Sequence, residues 1–212
     1  MPAPTLEDLR RQLREKFPQA HAHAVLSKES PQQTERPFET TCFPAAAISE
    51  IIPSTGVCGI SLWIAGLLGE PEEAPEFPKF ILVDGGDGFD PASHGVTACS
   101  QLLWVRCRKI HEALKAADLV VRDANIPFVI LDLCSLPTTS LRGIPAASWW
   151  RLKQLCETSA CRLVVLSPSP LVPCASLRLT LTRSLGIKDF DLFLPEILNQ
   201  FSAQPERLRH AT

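Results

Sequence analysis

Five short runs rich in β-branched and bulky apolar residues, at 48–52, 80–83, 128–131, 163–166 and 177–181, recur along this chain with helical segments between them. Runs of that length and composition read as strands. Those at 80–83 and 128–131 are apolar throughout, as strands covered on both faces are. The intervening segments are a short apolar helix at 62–68, a longer one with Ile110, Leu114, Ala117 and Val121 on one face, and a third carrying Trp149, Leu152 and Leu155. The alternation predicts an α/β fold: a three-layer core with a mainly parallel central sheet and helices on both sides.

The flanks have a different character. Thr5 and Asp8 form a capping-box variant, and Leu6, Leu9, Leu13 and Phe17 follow at helical spacing, which predicts a short N-terminal helix. Residues 19–44 are rich in His, Ser, Gln, Thr and Pro without periodicity, a composition suited to a linker or an extended strap. Residues 69–79 are acidic and proline-rich, and read as a solvated loop between a helix and a strand. Beyond residue 186 the chain is polar except at 190–198. The expected division is therefore an N-terminal helix and linker at 1–43, a core domain at 44–185, and a partly flexible C-terminal interaction tail at 186–212.

The 21 basic and 23 acidic residues give a formal charge of −2, so no global field draws nucleic acid or an anionic membrane, and any DNA contact is expected to be indirect. None of the eight cysteines forms a C-x-x-C pair, and most lie in apolar runs, which predicts buried thiols of a cytoplasmic protein and no metal. The N-terminus lacks the apolar core of a secretory signal, and the apolar stretch at 60–68 is about half of a membrane span, so no membrane association is expected.

A phosphate-binding loop has the pattern G-x-x-x-x-G-K-[ST] between a strand and a helix; its backbone N–H groups surround the phosphates and its lysine neutralises them. Here the segment reads Ser54-Thr55-Gly56-Val57-Cys58-Gly59-Ile60-Ser61. Gly59 and Ser61 match the second glycine and the magnesium hydroxyl, Ser54 replaces the first glycine, and Ile60 stands at the lysine position. Without that charge the transferred phosphate loses its main electrostatic stabiliser, so neither ATP hydrolysis nor an ATP cofactor is expected. Asp84, Asp87 and Asp90 follow the second strand among glycines; they suit either an ion site or, better, a Gly/Asp turn. Asp132, just after the run at 128–131, stands where a Walker B aspartate positions magnesium, and equally where an aspartate caps the following turn.

In order along the chain, residues 44–185 resemble the RecA superfamily core. Glu50-Ile51-Ile52 is similar to the strand entering RecA's phosphate loop, and Val83-Asp84-Gly85-Gly86-Asp87-Gly88-Phe89-Asp90-Pro91 resembles its second-strand segment, with Gly86 where RecA carries its catalytic glutamate. Ser49-Glu50-Ile51-Ile52-Pro53 leading to Gly56-Val57-Cys58-Gly59, with Leu102-Leu103-Trp104-Val105-Arg106 and Ser148-Trp149-Trp150-Arg151-Leu152, most resembles the ImuA family, RecA-like accessories of bacterial SOS mutagenesis. The resemblance implies a scaffold that works beside an inactive Y-family polymerase homologue and an error-prone replicative polymerase in translesion DNA synthesis, with RecA as a further contact. It leaves two other functions open: a weak ATP-binding RecA paralogue, with Ser61, Asp84 and Asp132 about magnesium and Lys79 or Lys109 supplying the missing charge, and a SulA-like inhibitor of cell division.

Contact surfaces are fewer. Lys115, Arg122, Arg142, Arg151, Lys153, Arg162, Arg178 and Arg183 are scattered, the pattern of a solvated face. Trp104 follows two leucines and reads as core. Helical spacing buries only one of Trp149 and Trp150 fully, and the outward one, taken as Trp150, is the interface candidate. Asp191-Leu192-Phe193 resembles the end of the peptide that polymerases insert into a sliding clamp; alternatively Phe190, Phe193 and Ile197 fold back on the domain.

Overall fold

The computed structural model describes residues 38–53, 59–69, 71, 73–181, 189, 191–199 and 203–206. The predicted N-terminal helix lies outside them. In chain order the elements are β1 (Ala47–Pro53), α1 (Ile60–Leu68), β2 (Phe80–Asp84), α2 (Val96–Cys99), β3 (Leu102–Arg106), α3 (Ile110–Asp123), β4 (Phe128–Asp132), α4 (Thr138–Arg142), α5 (Ala146–Ser159), β5 (Arg162–Leu166), β6 (Leu177–Leu181), α6 (Leu194–Asn199) and β7 (Ala203–Glu206). The strands form one seven-stranded sheet in the order β3-β2-β4-β5-β1-β6-β7. All pairings are parallel except that of β6 with β7. This is the three-layer, RecA-like α/β core expected from the alternation of strand and helix.

Period-two alternation sends side chains to two separate cores. On one face Ile51, Phe80, Leu82, Phe128, Ile130, Val164, Leu166 and Leu179 meet α1 through Ile60, Trp63, Ile64 and Leu67. Three edge-to-face aromatic contacts organise this layer: Phe43–Trp63 at 5.9 Å, Phe43–Phe128 at 5.8 Å and Phe80–Phe128 at 5.5 Å. On the other face Ile48, Ile81, Val83, Val129, Leu131, Leu163 and Val165 pack against Ala113, Ala117 and Val121 of α3 and against Trp149, Leu152 and Cys156 of α5. The small residues on α3 let that helix sit close to the sheet.

Three features depart from the sequence reading. Phe43, assigned there to the linker, is buried at the centre of the aromatic layer, its carbonyl accepting from Arg162 Nε at 3.0 Å. Residues 102–106, not predicted as a strand, form the edge strand β3. Residues 203–206, placed in the tail beyond 185, pair with β6 and bury Ala203 in the core. Pro205 is tolerated because β7 is an edge strand with one side unpaired.

Gln101 joins three elements. Its buried side chain donates from Nε2 to the Leu68 carbonyl at 2.6 Å, and its own carbonyl accepts from Lys79 N at 2.8 Å and Phe80 N at 3.0 Å. The end of α1, the start of β2 and the start of β3 are thereby held together beneath the acidic loop. Among the described residues five cysteines are buried, and burial raises the Cys161 thiol to about 11 and Cys156 to about 12. As the sequence suggested, these are inert thiols in apolar surroundings.

Candidate functional site

In a parallel sheet the C-terminal ends of the strands collect the polar groups. Here β1, β2 and β4 lead to that edge. Ser54 and Gly56 of the degenerate loop lie outside the described residues. Gly59, which opens α1, has φ of 101°, a left-handed conformation that glycine adopts without a Cβ clash. Ile60, at the lysine position, is 4% exposed and belongs to the α1 side of the core. Ser61 is exposed.

The aspartates after β2 are the turn that the composition favoured. Asp84 is buried, and its carboxylate accepts from Gly88 N at 3.0 Å, Phe89 N at 2.9 Å, Gly86 N at 3.3 Å and Trp104 Nε1 at 3.3 Å. The loop therefore wraps around its own carboxylate. Asp87 is bidentate with Arg106, at 2.6 and 3.0 Å, and lies 3.8 Å from Arg108; the Arg106 hydrogen bond holds its carboxyl below the usual range. Asp90 caps the turn at 91–93, accepting from Ala92 N at 3.1 Å and Ser93 Oγ at 2.7 Å.

Gly85 is packed against backbone, and Gly86 against the exposed Ser135 side chain. A Cβ on Gly85 meets the Asp132 carbonyl at 2.8 Å, and one on Gly86 overlaps Ser135 Oγ. At the position where the resemblance puts a catalytic glutamate, the Ser135 side chain lies against the bare backbone of Gly86.

Asp132 is the exception at this edge. It is half-buried, lies directly beside Asp84 in the β2–β4 register, and accepts from Cys134 N at 2.9 Å. Burial, aided by the Asp84 charge, pushes its carboxyl up to about 6. Of the two uses foreseen for it, the structure shows the cap on the turn into Cys134; among the described residues no Lys, Arg or His forms an ion pair with it.

Of the two lysines considered as substitutes, Lys79 precedes β2 and so lies at the opposite edge of the sheet, about 16 Å away along five residues of strand. Lys109 lies three residues beyond the C-terminal end of β3, at the N-cap of α3, and is exposed. The described side chains do not fit a magnesium nucleotide: an apolar residue is packed where the cation belongs, and Asp84 is saturated by N–H donors.

The residues that the sequence reading missed are Glu50 and Arg178. Glu50 is fully buried in the middle of β1. It accepts from Ser167 Oγ at 2.8 Å, Leu171 N at 2.7 Å, Val172 N at 3.1 Å and Arg178 Nε at 2.7 Å. Arg178 also donates to the Val172 carbonyl at 3.0 Å and comes within 3.9 Å of Glu206. The signal was present: a glutamate inside an apolar central strand requires a partner, and Arg178 had been grouped with solvated bases. The remaining bases separate. Arg151 and Arg122 share Asp118, joining α5 to α3, while Arg142 has no acidic partner among the described residues.

The interface candidates divide cleanly. Trp149 is 1% exposed, whereas Trp150 is 46% exposed with Lys153 Nζ 5.3 Å over its ring. Trp104 packs partly buried against the α1-side core, edge-to-face with Phe89 and under the Arg106 guanidinium. In the tail Asp191 is exposed, Leu192 is half-buried and Phe193 is 77% exposed just ahead of α6, so Phe193 does not fold back on the domain.

The fold and this edge define a RecA-like α/β domain whose strand ends carry a self-contained aspartate turn. Neither the family models nor the curated proteins contain a match to the chain. Among the described residues no helix is long and apolar enough to cross a membrane.

Proposed function

We propose that this chain is a non-catalytic RecA-fold scaffold that holds polymerase components together in SOS-induced translesion DNA synthesis. The observation that carries the non-catalytic part is Ile60: its side chain is an integral part of the α1-side core, so the position of the phosphate-binding cation serves packing. Asp84 and Gly86 support it, since each is committed to the turn after β2. The translesion assignment rests on the resemblance of the motifs described above, with a Y-family polymerase homologue as first partner and RecA as second. Exposed Trp150 and Phe193 are the side chains best placed to anchor a partner, the latter within the clamp-like segment Asp191-Leu192-Phe193.

The test is affinity capture of the tagged protein from its own host after DNA damage, with ATP removed. A Y-family homologue or RecA is expected to remain bound, and Trp150→Ala or Phe193→Ala to release it. A complex that forms only during ATP hydrolysis, or saturable binding of ATP with magnesium by the purified chain, overturns the proposal. The second outcome favours a weak nucleotide-binding reading, for which the un-neutralised Asp132 is the supporting observation.

A further inference from the structure

Among the described residues, no third helix closes the α3–α5 side of the sheet over β1 and β6. The chain from β5 to β6 crosses there instead, and Glu50 fixes it by accepting from Ser167, Leu171 and Val172. Between this loop and the α4–α5 corner lies an open cleft of about 310 Å³. Leu141, Ile144, Trp149, Pro170, Leu171 and Val172 form apolar walls, and Arg142, Ala146, Pro173 and Arg178 complete the lining.

Three features give the cleft its sign. No acidic side chain lines it. Arg142 is exposed at its rim without an acidic partner among the described residues. The 14-residue helix α5 starts there at Ala146 with no side-chain cap and no acidic residue in its first turn, so the positive end of its dipole is uncompensated. Arg178 adds N–H donors more than net charge, because Glu50 and Glu206 flank it. Its Nε and Nη2 groups donate to Glu50 and to the Val172 carbonyl, which fixes the guanidinium in direction and leaves its remaining Nη N–H groups pre-organised.

We propose that this cleft docks a short acidic segment of a partner protein, with an aspartate or glutamate held between Arg142, Arg178 and the α5 N-terminus and an adjacent leucine or phenylalanine laid over Trp149 and Leu171. The occupant is argued from charge complementarity, and a peptide suits a cleft that lies open along one side. The inference rests on the reading of the chain as a partner-binding scaffold and gives that scaffold a second surface, apart from Trp150 and Phe193.

The probe is a fluorescein-labelled synthetic peptide in which two aspartates precede a leucine and a phenylalanine, compared with its asparagine counterpart by fluorescence anisotropy on the full chain. Saturable sub-millimolar binding is expected for the acidic peptide, with about tenfold weaker binding of the amide peptide and a similar loss in Arg142→Glu. Ala146→Asp is the second variant. An acidic residue in the first turn favours the helix while adding a negative charge to the cleft, so its loss of binding cannot be ascribed to unfolding. Equal affinity for both peptides, unchanged affinity in both variants, or no binding at millimolar peptide overturns the inference. Equal competition by inorganic phosphate or by a single-stranded oligonucleotide also overturns it, reducing the cleft to a general anion site. If capture without ATP succeeds while the acidic peptide fails to bind the unsubstituted chain, the scaffold stands and the cleft alone is wrong. If the peptide binds and capture fails, the scaffold reading falls.

Discussion

Asp132→Asn isolates the one carboxylate at the sheet edge that the fold makes uncomfortable. Its folded-state pKa is pushed from 3.8 to about 6, so the native state holds a proton more tightly than the unfolded chain does. A carboxyl raised in this way favours folding fully below about pH 4, and that contribution is lost as pH rises through about 6. At neutral pH the ionised group costs up to about 3 kcal/mol, at about 1.4 kcal/mol per unit, and partial solvent contact brings this nearer 2. Asparagine keeps the oxygen that accepts from Cys134 N and cannot ionise. Urea unfolding of both proteins between about pH 4 and pH 8 should show no difference at the acid end and a variant more stable by about 2–3 kcal/mol at neutral pH, or roughly 5–10 °C in Tm. A difference that is flat with pH, or largest in acid, refutes the reasoning. Millimolar magnesium should leave the gap unchanged; if it closes the gap in the wild type, Asp132 is a cation ligand.

Ile60→Lys, the substitution that restores the phosphate-loop pattern, should destabilise by more than about 3 kcal/mol in chemical denaturation and yield no ATPase activity, because it sets an ammonium in the α1-side core. Glu50→Gln should cost roughly 3–5 kcal/mol, and a double-mutant cycle with Arg178→Met should give a coupling of about 2 kcal/mol; strictly additive losses contradict the pairing. Trp149→Ala should cost about 3–5 kcal/mol and Trp150→Ala about 1 kcal/mol or less, so comparable losses at the two sites contradict the assignment of the inward ring.

The layer order was legible because the central strands are covered twice and their apolar runs are unbroken. β2 and β4 are the clearest, and their register then fixes Asp84 beside Asp132. β3 carries a weaker signal because an edge strand is only partly covered, and Ala203-Gln204-Pro205-Glu206 offers almost no apolar content: its pairing comes from β6. Phe43 was hidden by its surroundings, since composition averages over a stretch and one buried ring does not change the average. The turn around Asp84 could be read from its glycines, but its four N–H donors could not, one of them coming from Trp104 on the neighbouring strand. Glu50 and Arg178 are 128 residues apart, and only the adjacency of β1 and β6 makes them neighbours.

Gln101 has a consequence for how this chain tolerates change. Because it ties the Leu68 carbonyl to the starts of β2 and β3, the acidic, proline-rich connection between α1 and β2 is relieved of any duty in aligning them. Lengthening a loop whose ends are already fixed costs only about 0.6 kcal/mol per doubling. That connection is thus a natural place for inserted sequence to accumulate, for a fluorophore or a fused domain to be carried, and for the chain to be reopened with new termini while the sheet keeps its order.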